Sequence, residues 1–353
     1  MVDEPLRTQQ IATTGPRATA LLLAATVMAA LGAEPCEAGR RTPSCPLAAD
    51  TMGEAITYGG DFDGDGIADL AAASPCSMVI KRTHAGRVTV FSGADDGKKI
   101  FSAKGQQKGQ FMGLGLAFVD DLDGDGRDEL IVGSPGFDVT ETEDPTVEAG
   151  KKLKQAGRID VLSCLPQSCT SDQQCPRGSC GTTGQCVDNE HRTICGTEVL
   201  DTWYGSVQQA MLGKSVAALD NDTLCSGEPC IVAGAPGDRV ERAGGKRGQR
   251  KGRIYLYELS SESPVNSQDG PGKGSRFGKR IASIGDVDGD LQADILTGSD
   301  EAGSKGAKKG GLVTVLSGAD MEPLVTKKGA KKDRLGAAVA DAGDMDGDGR
   351  SDF

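Results

Sequence analysis

The chain has 353 residues, of which 51 are Gly and 15 Pro, with 37% apolar and only 4% aromatic side chains. So many helix breakers exclude a coiled coil or helical bundle, and Gly without a strict triplet spacing excludes collagen. A net charge of −12 gives no pull toward nucleic acid or an anionic membrane, and two histidines, His84 and His191, leave almost no material for His-based catalysis or metal binding.

Ala18–Leu31 is an apolar run that follows Arg17 and precedes the small residues Gly32 and Ala33. It is too short for a bilayer-spanning helix, which needs about 20 residues. The pattern predicts a secretory signal peptide over residues 1–33, followed by a Cys-containing segment over 34–51, with no transmembrane segment. All 11 cysteines come after that run, as expected of an oxidising compartment. Cys164, Cys169, Cys175, Cys180, Cys186 and Cys195 crowd into one stretch, Cys225 and Cys230 flank a short turn and can pair, and Cys36, Cys45 and Cys76 remain. No pair has the two-residue spacing of a structural zinc knuckle, so disulfides are expected, with connectivity open.

A repeat organises the rest. Four stretches share one acidic pattern: Asp61–Asp69 (DFDGDGIAD), Asp121–Glu129 (DLDGDGRDE), Asp286–Asp294 (DVDGDLQAD) and Asp344–Asp352 (DMDGDGRSD). A degenerate copy sits near Asp220. Before each copy comes an apolar-Gly pair: Met52-Gly53, Met112-Gly113, Leu212-Gly213, Phe277-Gly278 and Leu335-Gly336. After it come short apolar runs (DLAAASP, ELIVGSPG, CIVAGAPG, DILTGSD), and then the alternating runs GRVTVFSG, GRIDVLS, GRIYLYE and GLVTVLSG, which read as strands. Several short strands per unit of about 60 residues is the period of a propeller blade.

The Phe277-Gly278 pair, the acidic loops, Gly234-Ala235-Pro236 and Gly133-Ser134-Pro135 resemble the FG-GAP repeats of integrin alpha-subunit β-propellers. The resemblance covers about residues 52–353 apart from the Cys-rich insertion. It implies an all-β protein: a β-propeller of FG-GAP blades, about four complete (near 52–105, 111–204, 211–262 and 277–327) plus the start of a fifth at Leu335. A ring of about seven blades needs further sequence, so the chain is expected to be a fragment. In the family the acidic loop joins the first two strands of a blade and holds calcium.

Calcium takes six to eight oxygen ligands in flexible geometry. Carboxylates at loop positions 1, 3, 5 and 9 with a carbonyl at 7 satisfy it. The candidate ligands are therefore Asp61, Asp63, Asp65, Ile67 and Asp69; Asp121, Asp123, Asp125, Arg127 and Glu129; Asp286, Asp288, Asp290, Gln292 and Asp294; and Asp344, Asp346, Asp348, Arg350 and Asp352. Gly at position 4, and at position 6 in three loops, permits the tight turn; Leu291 at position 6 predicts a strained, weaker site. The sixteen candidate-ligand carboxylates of these loops exceed the net charge of −12, so the acidity of the chain is mostly loop acidity. An EF-hand is excluded, because position 12 is Ala72, Val132 or Thr297 where that loop needs a bidentate Glu. Near Asp220 the pair Cys225–Cys230 stands where the rest of the loop would be, so a crosslink is expected there in place of calcium.

Other chemistry is absent. Gly213-Lys214-Ser215 lacks the earlier Gly of a phosphate loop, no dinucleotide fingerprint follows Gly113, and no G-x-S-x-G or H-E-x-x-H occurs. Asn221-Asp222-Thr223 fits a glycosylation sequon. Lys/Gly-rich stretches at 104–108, 244–251, 305–311 and 327–332 read as solvated loops without the interleaved aromatics of a nucleic-acid surface. The Cys-rich insertion over 164–196 is expected as a disulfide-held knob between the third and fourth strands of blade two. These readings favour a secreted or cell-surface calcium-binding recognition module for a protein or matrix ligand, with no enzyme activity. The alternatives are an accessory propeller of a secreted, phospholipase-like hydrolase or a structural spacer.

Overall fold

The computed structural model describes residues 52–353 except 96, 167, 172, 174–178, 181–184, 188–194, 220–223, 226–228, 243–245, 301 and 303–309. The signal run, Cys36, Cys45, Cys175, His191, Asp220 and the Asn221 sequon lie outside the described residues. Those described build four four-stranded antiparallel sheets and contain no α-helix. No helix among them is long and apolar enough to cross a membrane.

The first blade pairs β1 (Ala55–Tyr58), β2 (Leu70–Ala73), β3 (Arg87–Phe91) and β4 (Lys99–Lys104) in sequence order. The second begins with β5 (Gly115–Val119) and β6 (Glu129–Gly133), makes a small ribbon from β7 (Val139–Thr140) and β8 (Lys152–Leu153), and returns as β9 (Arg158–Pro166). The short pair β10 (Ser179–Cys180) and β11 (Cys186–Val187) follows, before β12 (Cys195–Tyr204) closes the sheet against β9. In the third blade β13 (Val216–Leu219) and β14 (Cys230–Ala235) precede a second ribbon, β15 (Arg239–Arg242) with β16 (Lys246–Arg250), and then β17 (Arg253–Tyr257) and β18 (Asn266–Asp269). The fourth consists of β19 (Arg280–Ile284), β20 (Asp294–Gly298), β21 (Leu312–Leu316) and β22 (Pro323–Lys328). The first strands β1, β5, β13 and β19 lie side by side in that order, a four-blade propeller arrangement.

The second strand of each blade is apolar without alternation because both of its faces are buried. Leu130 and Val132 pack toward blade one with Phe62, Val88, Val90 and Phe101, whereas Ile131 between them packs toward blade three with Val216 and Ile231. Val232 repeats the switch, joining Phe277, Ile295 and Leu312 of blade four. Each core is thus an interface between blades, and period-2 side-chain alternation feeds two cores from one strand.

The paired motif residues are the stitch between blades. Phe277 bonds Gly252 as an isolated parallel bridge, and Met112, Leu212 and Leu335 do the same with Gly86, Gly157 and Gly311. The glycine that follows then lies on the second strand of the preceding blade. A Cβ on Gly133 would come within 1.9 Å of the Gly213 carbonyl oxygen, and one on Gly234 within 1.9 Å of that of Gly278. Backbone meets backbone there, so no side chain fits on either partner.

Two basic stretches differ from expectation. Residues 246–250 form β16 instead of a free loop, because the excursion leaves β14 and re-enters at its neighbour β17, so its two arms run alongside each other and pair, Arg239 opposite Arg250. The stretch that starts at Lys327 continues β22 through Lys328, opposite Leu312 and Val313.

Because the strands alternate in direction, the hairpins joining first to second and third to fourth strands leave one end of the sheets. The acidic loops and the Cys-rich stretch therefore share an end, and the two ribbons occupy the other. A disulfide joins Cys164 on β9 to Cys195 on β12, Cys169 is bonded to Cys180, and Cys225 to Cys230 as the spacing suggested. Cys76 and Cys186 are disulfide-bonded as well. Strand pairing of β9 and β12 runs out to Pro166 and Cys195, and Cys164 sits in the core between blades one and two.

Candidate metal centres

The loops 61–69, 121–129 and 286–294 join the first and second strands of their blades, the loop 344–352 is closed by an isolated bridge between Gly343 and Asp352, and in all four the first aspartate organises the turn. Asp61 Oδ1 accepts the N–H groups of Gly64 (2.9 Å) and Asp65 (3.0 Å), and its Oδ2 accepts that of Gly66 (2.7 Å). Asp121, Asp286 and Asp344 repeat the pattern at positions 4, 5 and 6. The N–H of position 7 donates in turn to the carboxylate of position 5: Ile67 to Asp65, Arg127 to Asp125, Gln292 to Asp290 and Arg350 to Asp348. Leu291 enters the same cage, its N–H 2.9 Å from Asp286 Oδ2, at a left-handed φ of 68°.

Position 9 anchors the loop to the sheet. Asp69 is fully buried, with Oδ2 taking the Phe62 N–H and Oδ1 that of Gly93, both at 2.9 Å. Asp294 holds Val287 and Gly318 in the same manner, and Asp352 holds Met345. The residue at position 2 plugs the loop from below: Phe62 lies 5.0 Å from the Phe101 ring and 6.5 Å from that of Phe118. Met345, its counterpart in the last loop, is exposed.

The carboxylates converge. Asp61, Asp63 and Asp69 can each present one oxygen with all of these atoms within 4.8 Å of one another, and so can the trios Asp121–Asp123–Asp125, Asp286–Asp288–Asp290 and Asp344–Asp346–Asp348. The first loop thus groups positions 1, 3 and 9, while the others group 1, 3 and 5. Asp65, Glu129, Asp294 and Asp352 stand outside these trios.

Electrostatics favours a cation at the sites. Burial, then the nearby Asp63 and Asp65 charges, push the Asp69 carboxyl up to about 7. Burial, then Asp123 and Asp121, push Glu129 up to about 8. Asp294 is also raised, first by burial and then by Asp288 and Asp290. Conversely, the N–H donors of Gly349, Gly347 and Asp348 hold Asp344 below the usual range. Glu129 Oε2 accepts the Leu122 N–H at 2.7 Å, but Oε1 is buried without a hydrogen bond. A buried carboxylate oxygen left in that condition is costly, and a hard cation relieves it. The all-oxygen donor set fits calcium.

Two groups escaped the reading of the sequence. Asp128, at position 8, places Oδ2 2.7 Å from the Asp61 nitrogen and Oδ1 3.3 Å from that of Asp121, spanning two loops. The side chains of Arg127 and Arg350 reach out of their own loops, Arg127 Nε toward Asp63 O and Arg350 Nη1 toward Val287 O, both at 3.3 Å. The ligand pattern uses only their carbonyls, not their side chains.

Acidic hairpin loops on antiparallel four-stranded blades, stitched by an apolar-Gly pair, define a repeat propeller with candidate cation sites at one end. The FG-GAP repeat family matches residues 53–91 and 112–162. The chain thus carries FG-GAP repeats in its first two blades, and the curated proteins it resembles are integrin alpha subunits. Integrin alpha pat-2 of Caenorhabditis briggsae is 28% identical over 310 residues, covering 85% of this chain and 21% of that protein. Integrin alpha-PS2 of Drosophila melanogaster is 35% identical over 103 residues, 29% of this chain and 6% of that one. The chain therefore spans about a fifth or less of the length of these relatives. Among solved structures, the Dos1 propeller aligns with 76% of this chain and 46% of its own at 13% identity and a TM-score of 0.37. Rhamnogalacturonan lyase YesW aligns with 81% of this chain and 45% of its own, at 15% identity and a TM-score of 0.36.

Proposed function

We propose that this chain is a calcium-stabilised, extracellular recognition module, secreted or at the cell surface, that presents a propeller surface to a protein or matrix ligand. The observation that carries the calcium half is the repetition of one arrangement in four loops: three converging carboxylates on a cage of backbone N–H donors. The candidate ligands are the carboxylates at positions 1, 3, 5 and 9 and the position-7 carbonyl. Calcium there neutralises mutually repelling carboxylates and crosslinks the first hairpin of the blade. Disulfides support an oxidising, extracellular setting. Similarity to integrin alpha chains supports adhesion-like binding, and no constellation of nucleophile and base among the described residues favours catalysis.

Thermal unfolding in millimolar calcium and in chelator tests the reading. With a Kd near a tenth of the free calcium concentration, each filled site adds about 1.4 kcal/mol. An unchanged midpoint refutes filled sites. Calcium-dependent retention on immobilised matrix protein, abolished by chelator, tests the recognition half.

A further inference from the structure

The four acidic loops do not stand alone but touch in two pairs. The second-blade loop donates twice to the first-blade loop and accepts once from it: Asp128 N lies 3.0 Å from Asp61 O, Arg127 Nε 3.3 Å from Asp63 O, and Asp128 Oδ2 accepts the Asp61 N–H at 2.7 Å. The last loop donates to the fourth-blade loop by the same route, with Ser351 N 3.1 Å from Asp286 O and Arg350 Nη1 3.3 Å from Val287 O. Both arginines lie over the position-4 glycine of the preceding loop. A Cβ on Gly64 would meet Arg127 Cγ at 3.0 Å, and one on Gly289 would meet Arg350 Nη2 at 3.3 Å.

The residues at positions 7 and 8 follow this contact. Where an acidic loop precedes in the neighbouring blade they are Arg127-Asp128 and Arg350-Ser351. The loop of blade one, the first in the series, has Ile67-Ala68; that of blade four, which follows the Cys225–Cys230 hairpin, has Gln292-Ala293. Position 7 thus carries a long donor, arginine, beside a preceding acidic loop and a side chain of shorter reach elsewhere.

We propose that the calcium sites work as two coupled pairs, 61–69 with 121–129 and 286–294 with 344–352, tied by Arg127 and Arg350, so that filling one member tightens the other. This rests on the calcium reading above. The coupling has a physical route. The peptide unit between Arg127 and Asp128 offers its carbonyl at the position-7 ligand place of one loop while its N–H donates to the backbone of the other. Polarising that carbonyl strengthens the N–H as a donor, and the same holds for the 350–351 peptide. Arg127 also pairs with Asp125 of its own loop at 2.7 Å, so fixing Asp125 fixes the guanidinium that caps Asp63 O. Ordering one loop therefore lowers the entropy cost of ordering its neighbour, which is positive cooperativity. Each arginine is a positioning residue, acting through the backbone of the neighbouring site.

The test is calorimetric titration of the 353-residue chain with calcium chloride, with the loops 286–294 and 344–352 silenced by Asp288→Asn and Asp346→Asn so that only the first pair reports. Two calcium ions should bind with a Hill coefficient above 1. Asp63→Asn should remove one ion and weaken the other by about fivefold, the lower end of ordinary coupling. By reciprocity Asp123→Asn should weaken loop one by the same factor. Arg127→Gln should keep both ions, return the Hill coefficient to 1 and abolish the effect of Asp63→Asn on loop two. Melting in chelator should confirm that each variant is folded, since these substitutions keep side-chain size. Two ions bound independently, or loop-two affinity indifferent to Asp63→Asn, overturns the coupling and leaves the calcium reading standing. No calcium bound in the unsilenced chain overturns both.

Discussion

Leu291 offers a sharp test of how the loops are built. Three loops place glycine at position 6 with φ of 85° (Gly66), 84° (Gly126) and 86° (Gly349); the fourth places leucine there at 68°. The hydrogen bond this conformation serves is unchanged, 2.9 Å from Leu291 N to Asp286 Oδ2 against 2.7 Å for Gly66 and 2.9 Å for Gly126. The cage thus forces a side chain into the left-handed region, at about 1–2 kcal/mol. Nothing offsets that strain locally, because Leu291 is 88% exposed and its side chain gains little by burial. Leu291→Gly removes the strain but widens the unfolded ensemble, at about 0.4–1 kcal/mol. The net is a stabilisation of about 0.5–1 kcal/mol, read as a higher urea midpoint at constant slope in chelator. Calcium affinity of this loop should rise with it, since less of the binding energy goes to holding the turn. The converse change, Gly66→Leu, should cost about 1 kcal/mol. A midpoint for Leu291→Gly equal to or below the parent would refute the strain argument.

Other consequences follow from the same groups. Asp69 and Glu129 titrate near 7 and 8 in the folded chain against about 4 when unfolded, so between those limits the metal-free fold holds protons that the unfolded chain has released. Stability in chelator should therefore fall as pH rises from about 4 to 8, while calcium affinity should rise over pH 6 to 8, because calcium needs these carboxylates ionised; flat profiles by melting and calorimetry would contradict the assignment. Replacing Cys225 and Cys230 by serine should destabilise by about 2 kcal/mol on the loop-entropy scale, measurable by urea unfolding. Excising residues 167–194 while keeping the Cys164–Cys195 bridge should leave cooperative unfolding and calcium stoichiometry intact, whereas excision that takes Cys164 as well should destabilise the first two blades, whose core it joins.

The blades were legible because their signals are local and repeated. Alternation in GRIYLYE, the apolar-Gly pairs and the spacing of the acidic loops each recur about every 60 residues, so one weak pattern is checked against three others. The pairing of Cys225 with Cys230 was legible for the same reason, only a tight turn separating them. What could not be read depends on where distant segments meet. The β15–β16 ribbon has the composition of a solvated linker, and only the adjacency of β14 and β17 brings its arms together. Position 9 reads as one more ligand, yet in Asp69 and Asp294 both carboxylate oxygens hold backbone N–H groups, one of them on the far hairpin at Gly93 or Gly318. Asp128 is invisible to a ligand pattern because its partners belong to two blades.

That last point bears on why blade three is built differently. In the other blades the first hairpin is closed by an acidic loop whose folding brings several like charges together, a repulsion that a counter-charge relieves. Cys225 and Cys230 close the third hairpin covalently, and both sulfurs are buried in the core shared with blade four. A covalent closure holds the hairpin without an ion, so the loop-to-loop route proposed above is not required there. The blade on its far side starts afresh with Gln292-Ala293 in place of an arginine-led pair. On the coupled-pair reading blade three is expected to separate the two pairs of acidic loops, so silencing the first pair should leave the calcium affinity of the second unchanged.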